Sequence, residues 1–175
     1  MNPNEIVDRI KIVINYPHLI KETQIHEPYF KDSNAYKYIA DCLDTGWVSS
    51  SGKWVSRFES LIQEFTGIKY AVAVSNGTVA LRMALHLVGV KPEEEVLLPP
   101  LTFVATANSV SHLGGIPHFV DIDSESLGMC PLALERRLKE VALCKGDLVY
   151  NRFSGRRISA ILPVHVFGLP AKINK

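Results

Sequence analysis

The stretch from residue 70 to residue 123 constrains the fold of this chain more than any other feature. An apolar run at 70–74 ends in Ser75-Asn76-Gly77-Thr78, and an amphipathic helical pattern begins at Val79. Further short apolar runs begin at Val96 and His118. Short apolar runs that alternate with helical patterns predict the strands of a mainly parallel sheet with helices on both faces. The expected fold class is therefore α/β.

The predicted elements divide the chain into three parts. Residues 1–24 form an N-terminal helix, residues 25–69 hold an extended segment and helices at 34–43 and 54–65, and residues 70–175 form an incomplete βαβ region. In that region the predicted strands are 70–74, 95–99, 117–121 and 158–164, and the predicted helices are 78–89, 104–113 and 131–140. Residues 46–52 are predicted to be a loop, and the polar residues 145–157 a surface excursion.

The break after the first apolar run has the composition of an anion site. A strand that turns into a helix points free backbone N–H groups at one place, and the helix dipole adds positive potential there. Gly77 permits close approach of a phosphate, and Thr78 can cap the helix or donate its hydroxyl to a phosphate oxygen. The alternative is a turn followed by an ordinary helix cap.

Phe103 follows the second apolar run and offers an aromatic platform. Most phenylalanines lie in a core, so packing is the alternative role for this ring. A phosphate cradle together with an aromatic platform suits a flat phosphorylated cofactor. Asp121 and Asp123, at the end of the next run, are predicted to cap a turn rather than to act as an acid–base pair.

Four sequence motifs, in this order along the chain, resemble those of the sugar aminotransferases of the DegT/DnrJ/EryC1/StrS family, which use pyridoxal 5'-phosphate (PLP) on an aspartate-aminotransferase-type fold. The resemblance runs from about residue 25 to the last residue, and its opening and residues 151–158 are closest to the branch that makes 4-amino-4,6-dideoxy sugars. The four motifs are SNGTVAL at 75–81, LTFVATAN at 101–108, FVDID at 119–123 and PVHVFGLP at 163–170.

The resemblance assigns roles to residues in and near these motifs. Asn76, Gly77 and Thr78 are expected to hold the cofactor phosphate, and Phe103 to stack on its ring. Thr106 and Asn108 either face the cofactor or lie on a helix surface. Near the sugar nucleotide the resemblance places Trp47 and Ser49, in a loop often contributed across a dimer interface. His165, at the carboxyl end of a strand, is either close to the ligand or structural.

No catalytic residue is assigned within the chain. A PLP transaminase needs a lysine for the Schiff base and a carboxylate facing the pyridine nitrogen. In the resembled family this lysine and this carboxylate follow the fourth motif, beyond Lys175, and neither Lys172 nor Lys175 occupies the family's lysine position. The expectation is the first part of a longer enzyme, with a 175-residue chain that has no transaminase activity alone.

The implied function is transfer of an amino group, from glutamate, to a nucleotide-linked keto sugar for surface polysaccharide biosynthesis. The implied partners are the nucleotide sugar, the amino-acid donor and a second copy in a homodimer. The alternatives are a truncated non-catalytic chain and a sugar dehydratase of the same family. A Rossmann dinucleotide binder is disfavoured, because no G-x-G-x-x-G follows the run at 70–74.

Composition narrows the remaining classes. The chain has 19 Lys+Arg against 18 Asp+Glu, a balance that does not favour nucleic acid or an anionic membrane as a partner. No apolar run approaches the roughly 20 residues that span a bilayer, and the first residues lack the order of a secretory signal, so a cytoplasmic location is expected. The spacing of Cys42, Cys130 and Cys144 and the scattered histidines predict buried thiols and no metal site.

Overall fold

The computed structural model describes residues 2–13 and 28–174, which form two compact units, Met1–Ser49 and Ser50–Lys175. The first unit contains helices α1 (Pro3–Val13) and α2 (Ala35–Thr45). Gly46 ends α2 in the left-handed conformation, and its N–H bonds to the carbonyl of Leu43. The helix predicted at 34–43 is confirmed, and the leading helix is confirmed for its first part, whereas residues 14–27 lie outside the described residues. The division at residues 24 and 69 stays a prediction.

The second unit alternates helices and strands. Its elements are α3 (Lys53–Thr66), α4 (Gly77–Leu87), β1 (Glu95–Leu98), α5 (Ala105–Ser111), β2 (Ile116–Phe119), α6 (Pro131–Val141), β3 (Ala142–Lys145), β4 (Leu148–Asn151) and β5 (Ile158–Ile161), followed by a 3₁₀ turn at Val166–Gly168. Gly67 caps α3 as predicted, with φ 73° and its N–H on the carbonyl of Gln63. None of the helices in the described part has the length and apolar character needed to cross a membrane.

Three strands form a parallel sheet in the order β2-β1-β5. The central strand β1 is buried along its whole length, as its continuous apolar run predicts for a strand covered on both faces. On one face Val96 and Leu98 pack with Leu85 of α4 and Val110 of α5. On the other face Leu97 packs with a cluster that includes Ala133 of α6. The predicted α/β architecture with helices on both faces of a parallel sheet is therefore confirmed.

One prediction of local structure is wrong, and the structure adds detail to a second. Residues 70–74 are not a strand, because no strand of the described residues pairs with them; the side chain of Glu59 accepts the Ala73 N–H at 2.8 Å. Residues 145–157 lie mostly at the surface, as predicted, and the structure adds that β3 and β4 form an antiparallel hairpin that turns at Gly146. Its inner end buries Asn151. Both outcomes depend on pairing partners, which local sequence does not specify.

Candidate functional site

A cleft of about 430 Å³ opens beyond the carboxyl ends of β1 and β5. This edge is where ligands bind in open parallel sheets. The cleft combines two chain segments that are about 60 residues apart, and three of the residues predicted for the site line it: Phe103, Thr106 and His165. The complete lining is Leu101, Thr102, Phe103, Thr106, Val164, His165, Val166 and Phe167.

Phe103 is 78% exposed, which argues against the alternative role as a core residue. The segment before α5 holds it at the cleft, where the Phe103 carbonyl accepts the Thr106 N–H at 2.9 Å. Thr106 is buried, and its hydroxyl lies 2.8 Å from that of Thr102, so one of the two hydroxyls donates a hydrogen bond to the other. Asn108 is exposed on α5 and is not among the lining residues.

His165 reaches the cleft from the segment that follows β5. Its Nδ1 accepts the backbone N–H of Ala171 at 2.9 Å. Sequence reasoning missed its neighbour Phe167, a second aromatic ring in the lining that is 80% exposed. Phe167 has φ 52°, a left-handed conformation that is costly for an aromatic residue and that occurs at functional sites. The sequence signal that could have indicated Phe167 was its place in the same motif as His165.

The turn before α4 has the predicted form, but its cap is a different residue. Asn76 rather than Thr78 caps α4, since Asn76 Oδ1 accepts the Val79 N–H at 3.0 Å. The Asn76 carbonyl accepts the Ala80 N–H. Within the described residues no hydrogen bond engages the N–H groups of Gly77 and Thr78. Nothing lies within 4 Å of the place where Gly77 would carry a Cβ, so an anion can approach these donors.

The other predicted site residues are not brought to the cleft by the described contacts. Asn76, Gly77 and Thr78 are not among its lining residues, so the shared use of turn and cleft by one ligand stays a prediction. Trp47 and Ser49 belong to the first unit, where both are exposed in the irregular segment after α2. Their role near a sugar nucleotide also stays a prediction.

A buried polar network at the opposite end of β1 escaped sequence reasoning. The Glu95 carboxylate, with its residue 4% exposed, accepts hydrogen bonds from His118 Nδ1 at 2.7 Å, Asn151 Nδ2 at 3.0 Å and Ser154 Oγ at 2.5 Å. Arg137 Nε donates to His118 Nε2 at 2.9 Å. Burial raises the pKa of Glu95, but the hydrogen bonds from these three side chains outweigh it and hold the pKa below its usual value. The one signal in the sequence was a glutamate at the start of an apolar strand.

Asp123 caps a turn, as predicted. Its carboxylate accepts the N–H groups of Ser126 at 2.9 Å and Glu125 at 3.1 Å, and Lys172 Nζ lies 3.0 Å from it. The backbone N–H of Ser126 and the ammonium of Lys172 lower the pKa of Asp123. The carboxylates of Glu125 and Asp123 in turn raise the pKa of Lys172. This ion pair ties the segment after the cleft to the turn that follows β2.

The thiols and metal-binding groups add no second site. Cys42 and Cys130 are partly buried and Cys144 is exposed on β3, so the prediction of three buried thiols is wrong for Cys144. Across residues 2–13 and 28–174 no cluster of three or more His, Cys, Asp or Glu side chains could hold a metal ion.

The fold is that of the aminotransferase class. A DegT DnrJ EryC1 StrS aminotransferase from Brucella abortus has a TM-score of 0.67 and 30% identity to this chain, and the match covers 83% of this chain and 36% of that one. A chain from Streptococcus pneumoniae, described as a sugar aminotransferase in its PLP form, has a TM-score of 0.53 and 28% identity over 58% of this chain and 26% of its own.

The sequence identifies the particular family. The model of the DegT/DnrJ/EryC1/StrS aminotransferase family matches residues 30–175, and the chain belongs to this family. A curated relative, GDP-perosamine synthase of Vibrio cholerae, is 36% identical over 144 residues, which are 82% of this chain and 35% of the relative. The chain thus spans about a third of the length of the curated relatives that it matches.

Proposed function

We propose that this chain is the N-terminal part of a PLP-dependent aminotransferase that transfers an amino group, from glutamate, to a nucleotide-linked keto sugar. Family membership supports the reaction class, and the similarity to GDP-perosamine synthase supports a sugar substrate. A role in surface polysaccharide biosynthesis stays a prediction from the sequence. The observation that carries the proposal is the exposed Phe103 ring in a cleft at the carboxyl edge of the sheet.

The described residues include groups suited to binding the phosphate of such a cofactor. The free N–H groups of Gly77 and Thr78, with the Thr78 hydroxyl, are the donor set that a phosphate needs, and the open space beside Gly77 leaves room for it. When bound, PLP supplies an electron sink for the carbon that carries the amino group. The lysine that would hold it covalently is not among the lining residues of the cleft.

The chain's own residues then have binding and orienting roles. The donors at the start of α4 neutralise phosphate charge, and the α4 dipole adds to this attraction. Phe103 covers one face of the ring, fixes its plane and excludes water from that face. Thr106 is held by Thr102 and shapes the floor of the cleft.

The substrate side of the proposal involves Trp47, Ser49 and His165. Trp47 is 56% exposed, which leaves its ring free to contact a nucleotide or sugar. A homodimer and a cytoplasmic location stay predictions from the sequence. A dehydratase of the same family is the alternative, and the residue at the Schiff-base position of the complete protein distinguishes the two.

Two substitutions test the cofactor site by titration with PLP, monitored by absorbance and by quenching of protein fluorescence. Thr78→Ala removes a hydrogen bond to a charged group, worth about 1.5–3 kcal/mol, and should weaken binding about tenfold or more. Phe103→Leu removes the flat ring and should weaken binding by about 0.5–1.5 kcal/mol while the thermal midpoint is kept.

The matched control is Phe153→Leu. Phe153 is 72% exposed in the turn after β4 and does not line the cleft, so its loss should leave PLP affinity unchanged. A Phe103→Leu variant that loses thermal stability but keeps its PLP affinity would return Phe103 to a packing role. Unchanged affinity in Thr78→Ala would remove Thr78 from the phosphate site.

A further inference from the structure

We propose that His118 and Arg137 form a proton-controlled latch, in which the neutral imidazole holds helix α6 on strand β2 and the protonated imidazole releases it. The latch belongs to the network around Glu95, at the end of β1 opposite the cleft. The inference therefore goes beyond the proposed function and does not depend on it. It gives a role to buried polar groups that the proposed reaction does not use.

The two neighbours of the His118 ring set its protonation state and its tautomer. The pKa of Glu95 lies below its usual value, so at neutral pH this carboxylate is ionised and can only accept a hydrogen bond. His118 Nδ1, which lies 2.7 Å from it, therefore carries the proton of that bond. Arg137 Nε–H can only donate, so the Nε2 atom that it meets at 2.9 Å must offer a lone pair. The closed latch thus contains a neutral imidazole protonated on Nδ1.

Protonation of His118 and its hydrogen bond to Arg137 exclude each other. A proton from solvent that adds to Nε2 takes up the lone pair on which Arg137 Nε–H is bound, and it sets two donors and two positive charges against each other. The guanidinium keeps its own proton and charge, so the hydrogen bond between the two side chains is what breaks. The imidazolium keeps its Nδ1–H on Glu95 and forms an ion pair with it. The proton thus strengthens the tie between β1 and β2 while it frees α6.

The released guanidinium has both a partner and room to move. Arg137 Nη1 donates to Glu140 at 2.9 Å, three residues further along α6, and the side chains of Arg137 and Glu140 are 38% and 56% exposed. A recess of about 150 Å³ borders both residues, and Asp121 and Arg136 are the other charged residues that line it. Because Arg137 stays paired with Glu140 when it leaves His118, opening of the latch leaves no buried charge without a partner.

Charges of opposite sign contact the imidazole from two elements. Glu95 of β1 favours the imidazolium, and Arg137 of α6 opposes it. The hairpin contributes neutral groups, the amide of Asn151 and the hydroxyl of Ser154, which donate to Glu95 at 3.0 and 2.5 Å. The state of the latch therefore depends on two opposing contacts, and removal of the guanidinium removes the contact that responds to the proton.

The latch acts on the middle of α6. Near the start of the helix Ala133 packs in the core cluster that contains Leu97. At its end the Val141 carbonyl accepts the Arg152 N–H at 2.8 Å, which joins the helix to the hairpin. Arg137 lies between these two fixed points. Its hydrogen bond should therefore contribute to the attachment of α6 while the imidazole is neutral, and this contribution should be lost when the imidazole is charged.

The first test uses the whole chain without any substitution. Nitrogen-15 spectra at about pH 8 should show His118 protonated on Nδ1 and unprotonated on Nε2, with an Arg137 Nε–H that exchanges slowly with water. When the pH is lowered to about 5.5, Nε2 should take up a proton and the Arg137 Nε–H should exchange about tenfold faster or more. A proton on Nε2 at the higher pH, an imidazole that is still neutral at the lower pH, or an Arg137 resonance that does not change while His118 titrates overturns the proposal.

Two substitutions separate the latch from ordinary packing. Arg137→Met keeps an unbranched apolar stem on α6 but removes the donor, so its equilibrium constant for unfolding in urea should exceed that of the wild type about tenfold at pH 8 and should equal it at about pH 5.5. His118→Gln offers an oxygen to Arg137 and an N–H to Glu95 but takes up no proton. In the His118→Gln background, Arg137→Met should therefore have the same effect at both pH values.

The matched control is Lys139→Met, which removes another cation of α6. Lys139 is exposed and pairs with Glu135 on the surface, away from the imidazole, so the effect of its loss should be the same at both pH values. The latch is overturned if Arg137→Met has an equal effect at the two pH values. It is also overturned if the pH dependence of that effect persists in the His118→Gln background, or if Lys139→Met has the same pH dependence.

Discussion

Replacement of Glu95 should destabilise the second unit strongly, although the residue does not line the cleft and lies at the opposite end of β1 from it. Its carboxylate joins β1 to β2 through His118 and to the hairpin through Asn151 and Ser154. Glu95→Leu keeps a similar volume but removes the acceptor for all three donors. A buried donor without an acceptor costs about 1–3 kcal/mol, and breaking a buried charged pair about 3–5 kcal/mol.

We therefore expect Glu95→Leu to lower the free energy of unfolding by about 3–5 kcal/mol, a large share of the roughly 5–15 kcal/mol of a typical domain. Glu95→Gln should cost less, about 1–2 kcal/mol, because the Ser154 hydroxyl can turn to accept from the new amide while the amide oxygen serves His118 and Asn151. The expected order is wild type, then Gln, then Leu.

Urea denaturation followed by circular dichroism measures this order. The control is Glu93→Gln, two residues away, whose carboxylate is exposed and pairs with Arg156 at 3.2 Å on the surface. Its loss should change the unfolding free energy by less than about 0.5 kcal/mol. If Glu95→Leu unfolds within about 0.5 kcal/mol of the wild type, the network contributes no net stability and the reasoning is refuted.

Three further predictions follow from local geometry. Gly128→Ala should destabilise the chain by about 1–3 kcal/mol, because its Cβ would press on Ala171 and Val164. Gly77→Ala, with open space around it, should keep the thermal midpoint, and equal midpoints for the two variants would contradict the close packing at Gly128. Asn76→Ala should cost about 0.5–2 kcal/mol of stability in urea through loss of the α4 cap, and a cost near zero would show that another residue caps the helix. Because the pKa of Glu95 is lowered in the folded state, its ionised form contributes stability at neutral pH, and this contribution is lost as the pH falls below about 4.3, the usual glutamate value. The free energy of unfolding of Glu95→Gln should therefore depend less on pH in that range than that of the wild type.

Local sequence determined the elements whose formation needs few partners. The cap at Gly67, the helical periods of α4 and α6 and the buried run Val96-Leu97-Leu98 all appear where the sequence predicts them. A continuous apolar run also determined that both faces of β1 would be covered, because neither face can be left in water. The resemblance then marked the residues around Phe103 and His165 as a site.

Tertiary structure decided everything that depends on long-range pairing. Residues 70–74 have the composition of a strand but not a strand's partner in the described chain, and residues 142–151 pair as a hairpin despite their polar surroundings. The same is true of the site. Only the fold brings Phe103 and His165 to one cleft, places Ala171 on Nδ1, and collects His118, Asn151 and Ser154 around Glu95. These contacts span up to about 60 residues, and hydrogen-bond geometry across such distances is set by packing of the sheet and not by the periodicity of any one segment.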